Sequence, residues 1–193
     1  MKNINFLIVG VGGQGTILAS DILAEVGMLA GMDSKKSDNM GLSVRGGSVS
    51  SHIRWGDKIG SPLSMPGTID ILMASEPLEG MRSLHFLRKG STIVANTYRV
   101  PPMLVSTGQA EYPSVETIDK AMHDAADKVI AYDATAISLE VGNVKTMNIV
   151  LLGTISTLTD APVELWEKAI TKYVPAKALD KNLKAFHAGR EKG

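Results

Sequence analysis

The stretch IVGVGGQGTILAS, residues 8–20, constrains this chain's fold more than any other part of it. Residues 4–10, INFLIVG, form a short continuous apolar run, the pattern of a strand buried on both faces of a parallel sheet. Glycine then stands at positions 10, 12, 13 and 15. Beyond it, Ile17, Leu18, Ile22, Leu23, Val26 and Leu29 recur at helical spacing, and Gly31 suits a helix end. A strand, a glycine turn and a helix in that order open a doubly wound α/β fold.

The rest of the chain continues in kind. Residues 32–48 are polar and rich in glycine and serine, which predicts a long loop with at most a weak strand near 34–37. Val49, Ile53 and Trp55 alternate with Ser50, His52 and Arg54, the mark of a half-buried strand. Gly56 and Asp57 then predict the turn of a short hairpin. Residues 68–75, 91–97 and 128–134 read as further strands. Glu76 and Pro77 are placed as N-cap and first residue of a helix running to about residue 87. Among the three prolines that follow, Met103–Ser106 is expected to be a short edge β segment. Helices are predicted over 115–127, 134–140, 147–158, Val163–Tyr173 and 176–189. The expected architecture is a doubly wound α/β domain. Its sheet is mostly parallel with a small hairpin elaboration, and residues 1–193 form one domain.

Composition removes several function classes. Lys+Arg and Asp+Glu both number 20, so the chain lacks the basic excess that phosphate backbones demand, and nucleic acid is not expected as a partner. There is no cysteine, hence no disulfide, Cys-ligated zinc or iron–sulfur cluster. The four histidines, His52, His85, His123 and His187, show no metal-ligand spacing, so no metal site is expected. No apolar run approaches the ~20 residues of a membrane span, and the N-terminus does not have the form of a signal peptide. No membrane association is expected, and the expected location is the cytoplasm.

Gly10, Gly12 and Gly15 fit G-x-G-x-x-G between a strand and a helix. The first glycine permits the tight turn, the second leaves room for an anion at backbone N–H groups, and the third lets helix and strand pack. The same residues also serve as a tight turn without a ligand. A dinucleotide site would further require an acidic residue closing a second strand; only the polar stretch around Asp33 and Asp38 stands there. Gly15 is followed by Thr16 and Ile17, so the loop is not a P-loop.

The second unusual stretch is Arg45, Gly46 and Gly47, followed by serines. A guanidinium beside flexible backbone donors grips a carboxylate or phosphate in bidentate fashion; the alternative is a solvated surface loop. Glu76 and Asn96 end strands where open α/β sheets hold their ligands. Glu79, at a helix start, is explained by the helix dipole alone.

GVGGQG, VRGGSVSSHIRWG, SPLSMPGTIDILMASEPLEGMR, GQAEYPSVETI and VGNVKTMNIVLLGTIS occur in this order. Together they resemble the gamma-type subunit or domain of 2-oxoacid:acceptor (ferredoxin) oxidoreductases, with most likeness to the indolepyruvate type, over roughly residues 6–186. The resemblance implies a Rossmann-like three-layer α/β/α domain that is one subunit of an assembly that oxidatively decarboxylates a 2-oxoacid, an aryl pyruvate such as indolepyruvate, to an acyl-coenzyme A and reduces ferredoxin. It implies that thiamine diphosphate and [4Fe-4S] clusters reside in a partner subunit. By the same resemblance this chain is expected to be catalytically incomplete alone, with no catalytic residue of its own. The phosphates of coenzyme A or the carboxylate of the oxoacid are the candidate anion here, and a homodimer is the candidate form of the isolated chain. Gly10, Gly12, Gly13, Gln14 and Gly15 match the family's first loop, Arg45, Gly46 and Gly47 its second; Glu76, Pro77, Leu78, Glu79 and Asn148 also match. Val44 stands where indolepyruvate-type relatives usually carry Gln. Two other readings compete: a stand-alone NAD(P)- or flavin-binding reductase, and a purely structural subunit.

Overall fold

The computed structural model describes residues 3–41 and 47–193. Strand β1 (Ile4–Val11) is the apolar run, and helix α1 (Thr16–Leu29) follows the glycines. Next come β2 (Asp33–Met40), β3 (Ser48–Gly56), β4 (Ile69–Ala74), α2 (Pro77–Arg82) and β5 (Leu87–Asn96). The chain continues through α3 (Met103–Ser106), α4 (Val115–Ala125), β6 (Lys128–Tyr132), α5 (Ala134–Glu140), α6 (Met147–Ser156), α7 (Val163–Tyr173) and α8 (Leu179–Arg190).

The six strands form one sheet in the order β2-β3-β1-β4-β5-β6. β1, β4, β5 and β6 run parallel; β3 is antiparallel to both β1 and β2. Alternation along β1 explains its unbroken hydrophobicity. Phe6 and Ile8 enter the core shared with α1, α6, α7 and α8, whereas Leu7 and Val9 enter the core shared with α2 and α4. Helices therefore cover both faces, as the three-layer expectation requires.

Small residues set the closest approaches. Trp55 is fully buried, its Nε1 donates to the Leu23 carbonyl at 3.1 Å, and a Cβ on Gly27 would lie 2.3 Å from that nitrogen. α6 is buried along its whole length and crosses α8 backbone to backbone: a Cβ on Gly189 would lie 1.8 Å from the Val150 carbonyl oxygen.

Three local expectations change. β2 is a full eight-residue strand rather than a weak segment, because the ladder to β3 supplies what its polar sequence does not advertise. The hairpin is accordingly β2–β3, ahead of Gly56, and no strand lies between residues 57 and 68. Met103–Ser106 is a helical turn, not an edge strand. Pro102 caps it, and the hydroxyls of Ser106 and Thr107 donate to the carbonyls four residues back, at 3.2 and 3.0 Å. Among the described residues no helix is long and apolar enough to cross a membrane.

Candidate functional site: a glycine-loop crevice

The carboxyl ends of β1, β2, β4, β5 and β6 open on one edge of the sheet, where open α/β sheets bind ligands. Val11 closes β1 and the glycine loop turns there. Gly13 and Gly15 have φ of 102° and 76°, left-handed values that favour glycine, and Gly15 ends the turn at the start of α1.

Protein groups fill two of the glycine sites. A Cβ on Gly10 would lie 2.8 Å from Gln14 Oε1, and one on Gly15 would lie 2.6 Å from Asn148 Nδ2. Gln14 staples the loop. Its Oε1 accepts from the Val11 amide at 2.9 Å, and its Nε2 donates to the Ser75 carbonyl at 3.1 Å. Asn148 does the same from α6, donating to the Gly15 carbonyl at 2.9 Å. A Cβ on Gly13 would meet nothing within 4 Å, so Gly13 is the glycine that leaves open space.

The second loop meets the first. The Gly12 amide donates to the Gly47 carbonyl at 2.9 Å. That N–H is therefore spent within the protein. The donors left to the crevice are those opening α1, at Thr16, Ile17 and Leu18, which have no carbonyl one turn earlier within the helix. Thr16 is 3% exposed, and its Oγ1 has no hydrogen-bond partner among the described residues. Arg45 and Gly46, two of the three residues expected to act in the second loop, lie outside the described residues.

The loop divides the crevice in two. One side is a hollow of about 520 Å³ lined by Val11, Gly12, Gly13, Thr16, Met40 and Val49. The other, of about 470 Å³, is lined by Gln14, Gly15, Tyr98, Thr135, Lys145 and Asn148.

Glu76 and Asn96 sit at this edge as expected, but their polar atoms are engaged inward. Glu76 is 1% exposed. It caps α2 by accepting from the Glu79 amide at 3.1 Å, and it also accepts from the Tyr112 hydroxyl at 2.5 Å and the Val100 amide at 3.3 Å. Burial, and then the bond to this carboxylate, push the Tyr112 hydroxyl far above the ordinary tyrosine range. Asn96 donates to the Ser75 carbonyl and Thr135 Oγ1, and accepts from the Ala134 amide at 3.0 Å. Both residues hold strand ends and connecting segments in place.

Sequence reasoning passed over Glu79. It is 4% exposed and accepts from the Ser48 hydroxyl at 2.6 Å and from Arg82 at 2.7 Å, so it anchors the chain just beyond the second loop. The pairs Ser48–Glu79 and Tyr112–Glu76 span 31 and 36 residues and leave no local signal.

A dinucleotide site is not assembled. β3 separates β2 from β1. Asp38 is taken up by Lys36 at 2.7 Å and by the hydroxyls of Ser51 and Ser20. Burial alone would raise its pKa, but these partners hold the carboxyl below its ordinary value. No group of three or more His, Cys, Asp or Glu placed to hold a metal occurs among the described residues.

A doubly wound α/β chain with a stapled glycine loop at the carboxyl edge of its sheet belongs to the class of Rossmann-like α/β domains. The family described as pyruvate ferredoxin/flavodoxin oxidoreductase matches residues 5–192, and the chain belongs to it. The chain is 36% identical over 192 residues to the indolepyruvate oxidoreductase subunit IorB of Pyrococcus horikoshii, covering 98% of this chain and 95% of that protein. It superposes on the gamma subunit of a keto/oxoacid ferredoxin oxidoreductase from Geobacter sulfurreducens with a TM-score of 0.72, at 25% identity, covering 98% and 97% of the two chains. The fold also matches 31% of a 2-oxoglutarate:ferredoxin oxidoreductase chain from Magnetococcus marinus, solved with 2-oxoglutarate, coenzyme A and succinyl-CoA bound. There the TM-score is 0.73, the identity 18%, and 99% of this chain is covered. The chain is one subunit of a 2-oxoacid:ferredoxin oxidoreductase.

Proposed function

We propose that residues 1–193 form a single gamma-type partner domain that covers the active site of a thiamine-diphosphate subunit. Its glycine-loop crevice holds an anionic group, the phosphates of coenzyme A. The observation that carries this reading is the start of helix α1: the Thr16 hydroxyl there is buried, faces Gly10 and has no partner among the described residues, and Thr16 and Ile17 line the hollow together with Gly13. Helix N-termini favour anions through unpaired N–H groups and the helix dipole. Thr16 and the N–H groups of Ile17 and Leu18 would take a phosphate, and Arg45 would add its guanidinium. Bound there, coenzyme A supplies the acyl-accepting thiol; this chain orients it and excludes water.

The substrate of the assembly is an aryl pyruvate such as indolepyruvate, a choice supported by the name of the Pyrococcus relative. Thiamine diphosphate and [4Fe-4S] clusters belong to the partner: cluster ligation of the usual kind needs cysteine, and this chain has none. Ferredoxin is met through that partner, in the cytoplasm, and the isolated chain forms a homodimer.

The test is co-expression with a thiamine-diphosphate/iron–sulfur subunit encoded in the same organism. Co-purification and acyl-CoA formation from indolepyruvate are expected. A Thr16→Val variant of the complex should raise the KM for coenzyme A by about tenfold with kcat nearly unchanged. Failure to co-purify overturns the subunit role, and an unchanged coenzyme A KM overturns the site.

A further inference from the structure

A second, smaller cavity lies on the other side of the segment that walls the glycine-loop crevice. Residues 97–100 follow β5 directly. Tyr98 and Val100 face the crevice, while Thr97 and Arg99 line a separate cavity of about 140 Å³. Its floor is apolar and made largely of small or buried side chains: Ala95, Ala131, Pro77, and Ile118 and Met122 of α4, which are 5% and 3% exposed. Asn96 also borders it, but its amide is already committed to Ser75, Thr135 and Ala134.

Arg99 supplies the cavity's cation. Among the described residues its guanidinium makes no hydrogen bond and has no carboxylate within ion-pair distance; it lies 5.3 Å from the centre of the Tyr112 ring, which orients it at the rim. The other charged lining residue, Asp119, is an exposed carboxylate 3.4 Å from His123 Nδ1, and Glu116, one turn before the cavity-lining face of α4, also feels the charge of Arg99. An apolar pocket with a guanidinium on one side and a carboxylate, Asp119, on the other takes an amphipathic anion of a single charge only on its Arg99 side. Its volume is small against the ~300–1,000 Å³ of drug-sized sites, and close to the roughly 150 Å³ of an apolar cavity that takes up benzene. One ring or one branched chain fills it.

We propose that this cavity binds a small apolar monocarboxylate, an aryl-acetate or a branched short-chain acid, with the hydrocarbon on Ile118, Met122 and the two alanines and the carboxylate on Arg99. The site is distinct from the glycine-loop crevice and does not rest on the coenzyme A reading. Because the two share the 97–100 wall, an acid bound on Arg99 also fixes the segment that presents Tyr98 to the crevice.

The test uses the full chain with methyl-labelled isoleucine and methionine, titrated with phenylacetate and 3-methylbutanoate. Saturable shifts at Ile118 and Met122 are expected, with a dissociation constant of about 1 mM, in keeping with a ligand this small. Arg99→Gln, at an exposed position, should weaken binding about tenfold or more through loss of the charged hydrogen bonds. Ala131→Leu, which fills the cavity from an exposed strand position, should abolish it. Phenylacetamide, lacking the charge, should bind about as weakly to the native chain as phenylacetate does to Arg99→Gln. Absence of saturable shifts up to about 20 mM, twenty times that constant, would overturn the proposal and leave the cavity as a seat for a partner's side chain. So would equal affinity of the Arg99→Gln variant, or of the amide.

Discussion

The Gly12 amide donates to the Gly47 carbonyl at 2.9 Å, so the two glycine-bearing stretches of this chain, 35 positions apart in the sequence, meet as one structure at the edge of the sheet. The bond follows from topology. β3 lies antiparallel beside β1, with Val11 opposite Ser48, so the end of β1 and the start of β3 emerge together. An antiparallel β3 paired directly with β1 does this. In a purely parallel arrangement the segment entering β3 would lie at the opposite edge.

The Ser48–Glu79 bond at 2.6 Å then ties that shared edge to α2. Ser48→Ala removes a hydrogen bond to a buried carboxylate that keeps only Arg82 as a side-chain partner. Stability should fall by about 1–3 kcal/mol, read by urea denaturation. Glu79→Gln keeps the shape and an acceptor, and should cost less than Ser48→Ala. The reverse order would show that the carboxylate's charge, not its place, is what Ser48 holds.

Glu76 grips both ends of an exposed excursion, through the Val100 amide and the Tyr112 hydroxyl. Tyr112→Phe deletes the stronger of these bonds without changing the ring. A loss of about 1–3 kcal/mol is expected. Amide hydrogen exchange should quicken over residues 100–112 while β1 and β4 stay protected. Uniform quickening over the whole sheet would refute the role of Glu76 as a local clasp.

The parts legible in the sequence are those whose signal is local. β1, the glycine turn and α1 were readable because an apolar run, four glycines and a helical period lie within 26 residues. Glu76 and Pro77 gave the start of α2 for the same reason, since a cap and its helix are neighbours. β2 was not legible. Its sequence, DSKKSDNM, carries no hydrophobic alternation, because an edge strand can place Lys36 and Asp38 against Ser20, Ser51 and Asp21 instead of a core. At the site, the glycines, Gln14 and Asn148 were named, but not the contacts they make: Ser75 comes up to Gly10, and the amide of Asn148 to Gly15, only through tertiary packing. Proline misled at 101–102, since a fixed φ serves an edge strand and a helix start equally well.

The crossing of α6 and α8 gives a sharper test of packing. A Cβ on Gly189 would lie 1.8 Å from the Val150 carbonyl oxygen, a backbone atom that cannot turn aside as a side chain would. Gly189→Ala should cost at least about 3 kcal/mol, the upper end of overpacking penalties. Gly60→Ala, where a Cβ meets nothing within 4 Å, should stay within about 0.5 kcal/mol of the parent. Comparable losses in the two variants would mean that the helices separate freely and that their contact is not close.

The last prediction concerns pH. His52 on β3 is 7% exposed, its ring packs edge-on to Phe86 at 5.3 Å, and its Nδ1 accepts from the Ser64 amide at 3.4 Å. Burial holds its pKa below the ordinary 6.5. The unfolded chain therefore binds the proton first. The contribution of His52 to stability is complete above pH 6.5, falls as pH drops from there through the depressed folded value, and levels off below it. Protonation also ends the acceptance from Ser64, so the 57–68 connection loosens in the same window. Asp33 and Asp38, whose carboxyls are held below the ordinary 3.8, act only at lower pH and leave this window clear. Melting temperatures taken from pH 7.5 down to pH 5, in steps of about half a unit, should decline for the native chain and decline less for His52→Gln. Parallel curves for the two proteins would show that His52 exchanges its proton equally in the folded and unfolded states, and that its burial leaves its charge indifferent to folding.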